Sequence, residues 1–184
     1  PAHAAPFRAL ATEAAVHQPV SMVHPNDTKA LKDIGCVFMP GPGLGDQARL
    51  RSLFDRRAYS LCGVTHTLLS DRVMESLCAT LTDPIEEWDA IICTSTVARD
   101  TINTVMGAEY ERLKNRLGAT KCPKPQLPVI PLGVDCSRFQ ISSDRKAQAR
   151  ARLGFGPDEV IVLYVGRLSF HAKAHPIAMY QALA

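Results

Sequence analysis

Charge of one sign is scarce in this chain. Its 184 residues carry 21 Lys and Arg against 18 Asp and Glu, a net charge of +3, and the cations are scattered. That balance gives no electrostatic footprint for a nucleic-acid partner. Aromatics are sparse, at 6% with a single Trp, so few rings lie among the cations to stack bases. No apolar run approaches the roughly 20 residues that a membrane-spanning helix needs. The N-terminus, Pro1-Ala2-His3-Ala4-Ala5-Pro6-Phe7, lacks the basic start and apolar core of a secretory signal. It also lacks an initiator Met, and the last residues stop inside a helical pattern, so the expectation is a fragment of a longer chain. Cysteines at 36, 62, 78, 93, 122 and 136 include no pair at zinc-knuckle or redox spacing. They read as reduced thiols of a cytoplasmic protein. There is no dinucleotide fingerprint, P-loop or G-x-S-x-G elbow, which leaves dehydrogenase and hydrolase chemistry without support.

What is present is an ordinary globular composition, 46% hydrophobic and 21% charged, arranged as alternating helical and strand-like segments. Helices are expected over 7–17, 27–34, 44–54, 67–81 and from Ser95 or Thr96 to Gly118. The fourth rests on Leu69, Val73 and Leu77 at helical spacing. Strands are expected over 20–23, 36–39, 59–65, 89–94 and 129–134. Such alternation argues for an α/β fold with a parallel sheet and helices on both of its faces. The loop 121–128 is proline-rich, residues 135–143 read as a connection, and a helix over 145–153 ends at Gly154. Val160 to Val165 is a continuous, β-branched apolar run, as expected of a buried parallel strand. Gly166 ends it, Arg167 and Lys173 flank the loop that follows, and Pro176 suits the first turn of a helix. A strand end, a short loop and a helix start together make an anion site. Two cations six positions apart point to a diphosphate.

These residues carry a family resemblance. Gly166-Arg167-Leu168 with Lys173 resembles the donor-diphosphate loop of retaining glycosyltransferases of the GT-B fold, family 4. Val129-Ile130-Pro131-Leu132-Gly133-Val134-Asp135, followed by Phe139, resembles the segment joining that family's two domains, with Leu132 where the family has Asn. Gly63-Val64-Thr65-His66-Thr67 resembles the strand end whose His faces the transferred sugar. The three matches fall in the family's order over residues 63 to 173. The resemblance implies a GT-B architecture. Residues 1–135 would be a partial, acceptor-side Rossmann-like domain without its first strand. Residues 136–184 would be a linker and the start of the nucleotide-sugar domain, without the downstream pair of glutamates.

The implied activity is transfer of a sugar from a nucleotide-diphosphate-sugar to an acceptor hydroxyl with retention of configuration. The partners would be that donor and a saccharide, lipid or small-molecule acceptor, with peripheral membrane contact left open. His66 is the catalytic candidate, in a positioning or charge-stabilising role. Arg167, Lys173 and Gly166 are the diphosphate candidates. Guanidinium and ammonium groups stabilise the leaving diphosphate more strongly as its charge develops, so no metal and no cofactor beyond the co-substrate is expected. His171 and His175 have no carboxylate or thiol at metal-ligand spacing. The fragment alone, holding half of the site, is expected to be inactive. A nucleotide-sugar epimerase and a non-catalytic sugar- or nucleotide-binding module are the rival readings. Three further features have structural readings: Gly41-Pro42-Gly43-Leu44-Gly45 as a turn that could line the acceptor side, Asp135 as a cap, and Glu86-Glu87 as a solvated acidic pair.

Overall fold

The computed structural model describes residues 4–166 and 176–184. The chain divides into two compact units, Pro1–Pro131 and Leu132–Ala184; the sequence reading puts that boundary at Asp135. In the first unit the order is α1 (Ala4–Glu13), α2 (Thr28–Ile34), β1 (Cys36–Phe38), α3 (Gly45–Ser52), β2 (Ser60–Val64), α4 (Asp71–Ala79), β3 (Ala90–Ile92) and α5 (Thr96–Leu117). From α2 onward these lie within the segments that apolar periodicity predicts. Caps set their ends. Asp27 accepts a hydrogen bond from the Ala30 amide at the start of α2, and Gly35, at φ 77°, stops it. Ser95 accepts one from the Ala98 amide, and Gly118, at φ 69°, ends α5. The expected strand over 20–23 does not form. Ser21 interrupts its apolar run, and Pro19 and Pro25 leave too short a stretch to enter a ladder.

β1, β2 and β3 form a parallel sheet in that order, with Val37 opposite Leu61 and Gly63 opposite Ile91. The expected strand over 129–134 is displaced: residues 126–130 run beside β3 instead. Gln126 donates to the Asp89 carbonyl and Ile91 to that of Gln126. Cys93 donates to the Pro128 carbonyl and Ile130 to that of Cys93, all at 2.8–2.9 Å. A regular parallel ladder has one more bond, from position 128 to the Ile91 carbonyl. Pro128 has no N–H to give. The Cys93 thiol turns to that same carbonyl at 3.6 Å, a weak donor where the ladder lacks a strong one. Burial raises the Cys93 thiol above its ordinary pKa.

Alternation along the strands separates two faces. Leu61, Ile91 and Cys93 are fully buried on one. There they meet Leu44, Leu77 from α4, and Ile102 and Met106 from α5 in the core, and α4 packs on α5. Each such side chain contributes about 1.5–3 kcal/mol on burial. Strands laid down in chain order with right-handed crossovers put α3, α4 and α5 on this one side. The other face is not covered as the sequence reading expects: Phe38 is 60% exposed and Cys62, Val64 and Ile92 are half-buried.

Arg51, from the end of α3, closes the sheet at its N-terminal edge. Its two terminal nitrogens each lie 2.7 Å from an oxygen of Asp89, and one also donates to the Tyr59 carbonyl. The Asp89 carboxylate accepts two backbone bonds besides, from Leu61 and Glu86, each at 2.8 Å. Both side chains are wholly buried. Nearby, Glu86 is a partner of Arg56, at 2.6 Å, and not the solvated acid that the sequence reading expects.

The second unit holds a short 3-10 turn (Cys136–Phe139), α6 (Ser143–Leu153) and α7 (Pro176–Leu183). Asp135 caps the turn through the Ser137 amide. Gly154, at φ 76°, ends α6, and Pro176 opens α7. The run from Val160 to Val165 is not the buried strand that its composition predicts. It belongs to no sheet, and Val160 and Val165 are 91% and 82% exposed. A strand needs a neighbour to take its backbone bonds, and no strand occurs among the described residues of this unit.

Candidate functional site

A threonine follows each of β2 and β3, Thr65 directly and Thr94 after Cys93, and the two side chains fasten the strand ends together. The Thr65 amide donates to the Ile92 carbonyl at 2.9 Å. The Thr94 amide donates to the Thr65 hydroxyl at 2.9 Å, and the two hydroxyls lie 3.1 Å apart. Thr65 is only 4% exposed. The next residue on each chain leaves the sheet: His66 emerges into solvent, and Ser95 caps α5.

Between these two departures lies an open pocket of about 350 Å3. Thr65, Thr67, Thr94, Ser95 and Thr101 bring hydroxyls to it and His66 brings an imidazole. Leu69 and Val97, 78% and 72% exposed, supply apolar surface. Neither Lys, Arg, Asp nor Glu is among its described lining residues. The position, at the C-terminal ends of parallel strands and beside a helix start, is where open α/β sheets take ligands. His66 is therefore at the kind of place the sequence reading expects. The sequence reading has Thr65 only as part of the motif around His66, and gives Thr94 no role. The available signal was an apolar strand closing on threonine twice, at Val64-Thr65 and Cys93-Thr94.

The glycine-rich loop after β1 reads as a turn, and a turn is what forms. Its Gly41 carbonyl accepts from the Val64 amide at 3.3 Å, and Leu44 is wholly buried. The loop crosses β2 so closely that a Cβ on Gly63 would lie 2.6 Å from the Gly41 oxygen. Beyond it, a second pocket of about 280 Å3 lies between α3 and α4, with Arg49, Asp83, Arg72 and Ser76 in its wall. Arg49 bridges Asp46 and Asp83 there, and those two carboxylates raise its pKa above the ordinary guanidinium value.

Of the expected diphosphate residues, Gly166 ends the described part of the second unit's apolar run. A side chain on it would meet the ring end of Tyr164. Arg167 and Lys173, with His171 and His175, lie outside the described residues. His66 and Gly166 fall in different units. No helix among the described residues is long and apolar enough to cross a membrane. No family model, curated protein or solved structure matches the chain.

Proposed function

We propose that the chain is part of a retaining glycosyltransferase of GT-B architecture. Residues 1–135 would belong to the acceptor-side domain, and 136–184 would form the linker and the opening of the nucleotide-sugar domain. The observation that carries this reading is the His66 pocket: a strand-end hollow lined by neutral hydroxyls and a histidine, beside exposed apolar side chains. Sugar rings present hydroxyls at their rim and C–H groups on their faces, and such a lining offers a partner to each. The Gly166-Arg167-Leu168 and Lys173 pattern adds the cations for a diphosphate leaving group.

In this reading His66 stands beside the transferred sugar, where its imidazole orients the ring and steadies charge developing at the anomeric carbon. Arg167 grips the diphosphate oxygens in pairs, Lys173 adds a point charge, and Gly166 allows the backbone to approach. The departing phosphate takes the proton of the acceptor hydroxyl. No metal or further cofactor enters, and the enzyme works in the cytoplasm on a saccharide, lipid or small-molecule acceptor. By itself the chain turns over no substrate.

A thermal-shift panel of nucleoside diphosphates and nucleotide sugars tests the proposal. Stabilisation by one nucleotide, lost in Arg167→Ala, is the expected result and names the donor base. No stabilisation by any nucleotide in the folded protein would sink the donor-site reading and leave a non-catalytic module. Conversion of the donor without any acceptor, once turnover is measured in the complete enzyme, would favour the epimerase.

A further inference from the structure

We infer that the His66 pocket selects a neutral glycosyl group and rejects an acidic one, such as a hexuronate. The inference rests on the glycosyltransferase reading and narrows it to a substrate class. The observation is the chemistry of the lining. Its described residues include no Lys or Arg, and the imidazole of His66 is their one ionisable side chain. A carboxylate entering the pocket would meet no fixed cation among its described lining residues, only neutral hydroxyls and one imidazole.

The hydrogen-bonding inventory points the same way. The Ser95 hydroxyl already accepts from the Ala98 amide, so its own proton is left to give. Thr65 and Thr94 share one hydrogen between their hydroxyls, which leaves one donor of the two for a ligand. Thr67 accepts from the Leu69 amide at 3.5 Å and keeps its proton too. These are single neutral donors on separate side chains. They suit sugar hydroxyls, which are spread around a ring and can answer as donor or acceptor. A carboxylate is best held by a paired, charged fork of the guanidinium type, and none is in the lining. The start of α5 would attract an anion, but Ser95 already fills one of its open amides, and the helix end is exposed to water.

The test compares a nucleoside-diphosphate hexose with its hexuronate, on the same base, by NMR titration of the His66 ring and the Thr94 amide in the intact chain. The expected result is that the hexose shifts both signals and binds at least about tenfold more tightly than the hexuronate, a difference of about 1.4 kcal/mol. Thr67→Arg, at an exposed position, is expected to bring the hexuronate to parity or better. Equal binding by wild type, or a preference for the hexuronate, would overturn the inference and leave the glycosyl-transfer reading standing. No shift of either signal by either compound, with a folded amide spectrum, would overturn both.

Discussion

Asp89→Ala is the sharpest test of how the first unit is held together. The carboxylate is wholly buried and takes four hydrogen bonds, two from Arg51 and one each from the amides of Leu61 and Glu86. Its removal leaves Arg51 as a buried charge that still has the Tyr59 and Pro84 carbonyls as partners but no counter-ion. The Arg51 Nε is already buried without a partner. Breaking a buried pair in this way costs about 3–5 kcal/mol. Two orphaned amides add about 1–3 kcal/mol each, and the sum is not fully additive. A loss of about 5 kcal/mol is therefore expected, against a typical domain stability of about 5–15 kcal/mol. Urea denaturation followed by circular dichroism should find the unfolding midpoint lowered by the equivalent of about 5 kcal/mol, enough to unfold a domain at the low end of that range. Asp89→Asn keeps the shape and one accepting oxygen, so it should fall between wild type and Asp89→Ala. If Asp89→Ala costs less than about 1 kcal/mol, or Asp89→Asn is the worse of the two, the reasoning fails.

The strand-end clamp has its own test. Thr65→Val removes the hydroxyl and keeps the shape, so the Thr94 amide should exchange with solvent markedly faster while the Cys93 amide, bound to Pro128, stays protected; Thr65→Ser should restore protection. Unchanged exchange at Thr94 in Thr65→Val would show that the clamp does not hold the strand end. Gly63→Ala is expected to destabilise by about 1–3 kcal/mol, because the new methyl would meet backbone at the Gly41 oxygen, which has no side-chain torsion to relieve it. A thermal melt reads this directly, and an unchanged Tm would mean that the loop lifts away at no cost.

Much of the first unit is legible in its sequence because its signals are local. A cap such as Asp27 or Ser95, a left-handed stop such as Gly118, and the helical spacing of Val73 and Leu77 each act within a few residues, although α4 starts only at Asp71 and leaves Leu69 exposed. What eludes the sequence depends on pairing across distance. The Thr65–Thr94 clamp needs the register of two strands, which no single segment encodes. The pairing of Arg51 with Asp89 appears only when α3 and the start of β3 are brought to one edge. The strand expected over 129–134 falls over 126–130 because β3 sets the register. The apolar run from Val160 fails as a strand for the complementary reason: composition supplies the propensity, and only a neighbour supplies the ladder. His66 is placed by a local rule, the end of a strand. The hydroxyls around it come from two loops and from α5, and their grouping is invisible until β2 and β3 lie side by side.

Pro128 gives the first unit a perforated seam. Its imino nitrogen faces β3, so the missing bond falls between two intact pairs and not on the sheet's outer edge, where a proline would have guarded against unwanted pairing. Tension entering at Pro131 reaches only the Ile130 and Cys93 bonds before it meets that gap. The load is not spread along the whole ladder, and this last segment can tear free of β3 while the β2–β3 ladder, with the pocket above it, is spared.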